Sequence, residues 1–195
     1  GWIPVSDTWT YASSTTITVP SGAGAIYAIG DKLKLTQSGS VKYFYVIKVE
    51  NTLLTVTAGS NYAIADATIS DIYYSKTDSP AGYPNSFNFT PEITAASGTL
   101  GSTSGSIIFS INGKLATFNI RIEITENDTG GGAITCTLPF DTPSTNYIFP
   151  SRENSATGKL GQAIIANGFA NFFAADNSYP GGDNYTLIAS GTIII

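Results

Sequence analysis

The chain has 195 residues, a formal net charge of −5 from nine basic and 14 acidic side chains, and 12% charged residues against the ~25% usual for soluble domains. That balance argues against a phosphate-backbone partner, which needs clustered Lys and Arg, and no apolar run approaches the ~18 residues of a membrane-crossing helix. With no His and one Cys, an intrachain disulfide, a His-based catalytic triad and a zinc site are all disfavoured, and no metal or cofactor is expected.

Ser and Thr number 21 and 25, and aromatic residues reach 12%. Thr, Tyr, Phe, Val and Ile suit a pleated, half-buried surface, so the expected class is all-β. The absence of Met, including an initiator, leads to the expectation of a processed or excised piece.

Residues 1–76 read as a small antiparallel β-barrel domain. Its predicted strands are 15–20, 32–37, 41–49, 53–58 and 67–74, joined by turn-like links such as "QSGS". A weak internal echo, "TITVPSGAGAIYAIGDKL" and "LLTVTAGSNYAIADATI", suggests a strand, a helical turn plugging one barrel end, and a return strand. Within 41–49, Val41, Tyr43, Tyr45, Ile47 and Val49 share one face, but Phe44 and Val46 make the middle of the other face apolar too. A second layer of the barrel could cover that pair. The low charge favours instead a neighbouring subunit about a threefold axis, with Phe44 and Val46 at the oligomer interface.

Residues 77–86, "TDSPAGYPNS", hold two prolines and no apolar periodicity and are expected as a linker. Residues 87–195 read as an antiparallel β-sandwich, jelly-roll-like, that could form a receptor-binding tip. "SIIFSINGKLATFNIRIEIT" predicts two strands across Asn112-Gly113, with Ala116, Phe118, Ile120, Ile122 and Ile124 facing one way. "AITCTLP" follows, with Cys136 expected as a small core residue. The remaining predicted strands are 161–168, 169–175 and 185–195.

"TWTYASSTTITVPSG…GDKLKLTQSGSVKYFYVIKV…LLTVTAGSNYAIADATI" resembles the β-domain of structural proteins of tailed phages and prophages. "SGSIIFSINGKLATFNIRIEIT…AITCTLPF" through "YTLIASGTIII" is similar to the sandwich at the tips of phage tail and receptor-binding proteins. The resemblance implies a non-enzymatic tail fibre, baseplate or receptor-binding component at the virion surface, outside the cell. It implies a homotrimer that contacts other virion proteins and adheres to a host-surface polysaccharide or protein. No catalytic residue is carried over, and neither nucleic acid nor membrane insertion is expected. The alternatives are a carbohydrate-binding module of a secreted bacterial protein and a polysaccharide depolymerase.

Candidate binding residues come from "FANFFAADNSYPGGDNY", where aromatics interleave with Asn and Asp: Phe172, Phe173, Asp176, Asn177, Tyr179, Asp183 and Tyr185. Flat rings could stack on sugars while the polar groups take their hydroxyls. Asp176, Asn177, Asp183 and Asn184 in one loop could also offer oxygens to a hard cation, although an ordinary surface loop is the favoured reading and no metal is assigned. Trp2, Trp9, Tyr11 and Tyr83 are further aromatic candidates. The other acidic residues, Glu123 among them, read as solvated positions rather than as a hydrolytic pair.

Overall fold

The computed structural model describes residues 1–195. Strands hold 53% of the chain and helix only 2%, and the chain splits into two compact units, residues 1–87 with 111–115, and residues 88–110 with 116–195.

The first unit is built on a curled half-barrel of seven antiparallel strands. In chain order they are β1 (Ile3–Pro4), β2 (Thr10–Ser13), β3 (Thr16–Thr18), β4 (Lys32–Gln37), β5 (Ser40–Val49), β6 (Leu53–Thr57) and β7 (Ser70–Ser75). They lie in the order β1-β7-β4-β5-β6-β3-β2. The expected helical turn exists as α1 (Ala23–Ile26), whose Ala23 is buried; the echo at 60–66 forms no helix. Ser38 and Gly39 both take positive φ in the two-residue turn between β4 and β5, as a type I′ hairpin requires.

Both faces of β5 are covered by this same chain, which corrects the interface expectation. Phe44 (1% exposed) and Val46 (0%) point into the half-barrel, opposite Leu33 of β4 and Val56 of β6 respectively. On the other face, Tyr45 packs against Tyr83 and Phe87 at ring separations of 5.2 and 5.4 Å. Phe44 and Val46 therefore offer no surface to a second copy. The segment expected as a linker supplies part of that cover: Pro80 and Tyr83 are buried, and 77–86 groups with the first unit. Trp2 joins the same aromatic layer and donates its indole N–H to the Ala81 carbonyl at 2.8 Å. Trp9 is buried against Tyr27, and Tyr11 lies half-buried on edge strand β2.

The second sheet has nine antiparallel strands: β8 (Phe87–Phe89), β9 (Ile93–Ser97), β10 (Ser102–Asn112), β11 (Leu115–Glu126), β12 (Gly131–Thr137), β13 (Tyr147–Glu153), β14 (Leu160–Ala166), β15 (Phe169–Ala174) and β16 (Tyr185–Ile194). Their order is β8-β10-β11-β16-β13-β14-β15-β12-β9, and their inner faces pack as a sandwich. The predicted stripe on β11 is wholly inward: Ala116, Phe118, Ile120, Ile122 and Ile124 are each at most 2% exposed. Ile134, Cys136, Ala163, Ile165, Ala170 and Phe172 are buried as well and complete the core. Cys136 is fully buried, and burial pushes its thiol up to about 12.

Two hairpins differ from the sequence reading in their turns. The β10–β11 turn is Gly113-Lys114, with positive φ at Gly113 alone, the pattern of a type II′ turn, so Asn112 ends its strand. The type I′ pair is Asn167-Gly168, positive at both positions, between β14 and β15. Strand β13 was not expected. It contains Pro150, and β16 pairs with β13 only over Ser151–Glu153, so the proline sits just outside that ladder.

Candidate functional site

Four strand ends meet at one end of the second unit. β13 runs out at Glu153, β14 begins at Leu160, β15 ends at Ala174, and β16 begins at Tyr185. The inner face is lined here by small side chains, Ser151, Gly161 and Ala174, which leave space that a larger residue would fill. The result is a cavity of about 650 Å³, open to solvent, within the ~300–1,000 Å³ range of ligand sites. Its lips are the loops 154–159 and 175–184.

The first lip is organised by one carboxylate. Glu153 is only 4% exposed and accepts from seven donors. These are the backbone N–H groups of Ser155, Ala156, Thr157, Gly158 and Thr186, and the hydroxyls of Ser155 and Thr157. Burial by itself would raise its pKa, but the donors together hold the carboxyl well below the ordinary range. Glu153 is thus an anion at neutral pH, with its oxygens satisfied by the loop and by Thr186.

The second lip is tied to the 127–130 turn. Tyr179 donates its hydroxyl proton to Asn127 Oδ1, and the Asn127 N–H donates to Asp183 Oδ1 at 2.8 Å. Burial raises the Tyr179 phenol. Gly181 and Gly182 make room for the two tyrosine rings: a Cβ would fall 2.5 Å from Tyr179 Oη in one case and 2.8 Å from the Tyr185 ring in the other. The Ser178 hydroxyl and N–H both donate to Asp176, which holds that exposed carboxyl below its ordinary range.

The structure brings Asp176, Tyr179 and Tyr185 together on the cavity wall, with Lys159 in the other lip, whereas Phe173 reaches the floor through its backbone carbonyl and turns its side chain to the opposite face of the sheet. It separates the remaining three candidates. Phe172 points the opposite way from Phe173 and is fully buried, so it is core and not a binding residue. Asn177 takes a positive φ of 61° and faces Gln162, outside the cavity, while Asp183 is spent on Asn127. The loop therefore does not gather its Asp and Asn oxygens round one point, and no group of three or more acidic, Cys or His side chains is placed to hold a metal ion.

Glu153 and Asn127 were missed by the sequence reading. The one available signal for Glu153 was the run of small donors after it, "NSATG". Asn127 carries no local signal, because its partners lie 52 and 56 residues away. Comparison of the chain with known protein families, with curated proteins and with solved structures returns no match.

Proposed function

We propose that the protein is a non-enzymatic adhesive component of a phage or prophage virion, and that the groove of its second unit holds host-surface polysaccharide. The virion placement rests on the sequence resemblance. The sugar-binding part is carried by one observation: Tyr179 and Tyr185 line a single open cavity together with residues that carry hydroxyl, carboxylate and ammonium groups. Rings cover the apolar faces of pyranoses, and convergent polar groups fix their orientation.

Two carboxylates border the groove, which raises hydrolysis as a second reading. A glycosidase pair needs one acid whose pKa is raised so that it can give up a proton to the leaving oxygen. Glu153 and Asp176 are both shifted the other way, and this favours retention of the glycan over its cleavage. Association into a homotrimer belongs to the proposal through the resemblance alone, and Phe44 and Val46 contribute nothing to it.

The test is an array of bacterial surface polysaccharides probed with the wild type, Tyr185→Ala and Tyr179→Ala. The expected outcome is binding by the wild type that is weakened in both variants. Failure to bind any glycan overturns the proposal. Release of new reducing ends that is abolished by Asp176→Asn overturns its non-enzymatic part. Light scattering separates a virion trimer from a monomeric binding module of a secreted protein.

A further inference from the structure

The polar groups that line the groove divide into those already engaged and those left over. Glu153 is buried, but its oxygens are taken by the 155–158 loop and by Thr186. The hydroxyls of Thr157, Ser178 and Tyr179 donate to Glu153, Asp176 and Asn127 respectively. Lys159 and Asp176 are exposed at the rim. One polar side chain below the rim is left. Ser151 is only 7% exposed, and its Oγ has no hydrogen-bond partner within the protein. The atom is not sealed from solvent, so it opens on the cavity that Ser151 lines.

The surroundings of that hydroxyl are apolar. Ser151 lies on β13 opposite Gly161 of β14 and Ala189 of β16. Its Oγ is 2.9 Å from the point that a Cβ of Gly161 would occupy. Ala174 is the partner of Gly161 on β15, and Leu187, 2% exposed, closes the β16 side. The Phe173 carbonyl also reaches this floor, but alternation from the two-residue turn at 167–168 makes Gln162–Phe173 a hydrogen-bonded pair of the ladder. The floor is thus one hydroxyl set among Gly161, Ala174 and Leu187.

We infer that this floor is a subsite for the acetamido group of an N-acetylated sugar, its carbonyl accepting from Ser151 and its methyl lying against Ala174 and Leu187. The inference rests on the sugar-binding reading of the groove and names the sugar class. A plain sugar hydroxyl entering the floor brings a donor and two acceptor sites to a place with a single partner, and what stays unpaired has lost its water without replacement. A carboxylate brings a charge that one hydroxyl cannot compensate, on the same wall as the Glu153 anion. An acetyl group brings one carbonyl and a methyl that needs no partner, which is the balance the floor offers. The amide N–H is left to the rim, where Ser178 uses only Oδ1 of Asp176.

The experiment measures affinity by NMR titration for matched pairs in which an acetamido group replaces a hydroxyl: chitotetraose and cellotetraose, N-acetylgalactosamine and galactose, N-acetylmannosamine and mannose. In at least one pair the acetamido member is expected to bind about tenfold tighter, the worth of one hydrogen bond and one buried methyl. Ser151→Ala is expected to lose most of that preference and to leave the affinity for the parent sugar unchanged. The variant gives up no hydrogen bond within the protein, so its thermal melt should match that of the wild type. Equal or weaker binding of the acetamido member in every pair overturns this inference and leaves the groove reading in place. A preference that Ser151→Ala leaves intact does the same. Silence in all three pairs while the array of surface polysaccharides is positive also overturns it. No binding of any glycan in either assay overturns the groove reading itself.

Discussion

Replacing Glu153 by Gln preserves the shape of the side chain and removes its charge, and it tests whether the first lip is held by an anion. Four donors converge on Oε2: the N–H groups of Ala156, Thr157 and Gly158 and the Thr157 hydroxyl. An amide turned either way presents an NH₂ group to one such set. The hydroxyl can rotate to accept, but the backbone N–H groups cannot. Hydrogen bonds to a charged acceptor are worth ~1.5–3 kcal/mol each, and water at the loop surface recovers part of the loss, so a destabilisation of about 3 kcal/mol is expected. Urea unfolding at neutral pH measures it. The acid limb supplies a second readout. The folded-state pKa of Glu153 lies below its ordinary 4.5, so its contribution is complete above pH 4.5 and is lost as pH falls toward the folded value. The Gln variant lacks this contribution, and the wild-type and variant stability curves should converge as the solution is acidified. A variant within about 0.5 kcal/mol of wild type at neutral pH, or one with an identical acid limb, would refute the account.

Three further outcomes follow from packing. Phe44→Ala should cost about 3–5 kcal/mol in urea unfolding and leave the light-scattering mass unchanged, whereas a change of mass would return Phe44 to an interface. Gly161→Ala places a Cβ 2.3 Å from the Phe173 carbonyl oxygen, so the β14–β15 ladder must spread at the groove floor. A loss of about 2–3 kcal/mol is expected, together with loss of glycan binding, and a variant that melts and binds like wild type would show that the floor is not closed there. Cys136 should resist an aromatic disulfide reagent at pH 8 in the native protein, because its thiol is buried and raised to about 12, and should react fully in urea. Rapid native reaction would contradict its place in the core.

The legible parts of the sequence were those whose pattern is local. β4 matches its predicted bounds, β5 falls within one residue of them, and the β11 stripe faces inward as a two-residue period requires. The misreadings are non-local. Apolar residues on both faces of β5 looked like an oligomer contact because the cover of one face comes from Tyr83, inside a stretch with two prolines, and from Phe87 just after it. That same composition made 77–86 look like a linker, although the prolines only set its path over the first unit. β13 was hidden by Pro150 and by Arg152 and Glu153, residues that argue against a strand until their partners are known. With β13 went Glu153, the residue that shapes one lip. Of the candidates in the aromatic loop, Asp176, Tyr179 and Tyr185 line one cavity, whereas alternation on β15 had to send one of Phe172 and Phe173 inward, and only the register decides which.

Two long polar loops would ordinarily be a poor basis for a ligand site, since ordering them on binding subtracts from affinity. Here the ordering is completed during folding. Six donors from 155–158 converge on Glu153 and fix that segment, and Asn127 fixes 179 and 183 from a turn more than fifty residues away in sequence. Glu153, Asn127 and Asp183 spend their hydrogen bonds inside the protein, so they need not touch a ligand to matter to it. Tyr179 and Tyr185 are presented on a frame already set. Loosening either frame residue should therefore weaken binding by reducing the occupancy of the competent lip conformation, with the contacts of the bound state unchanged.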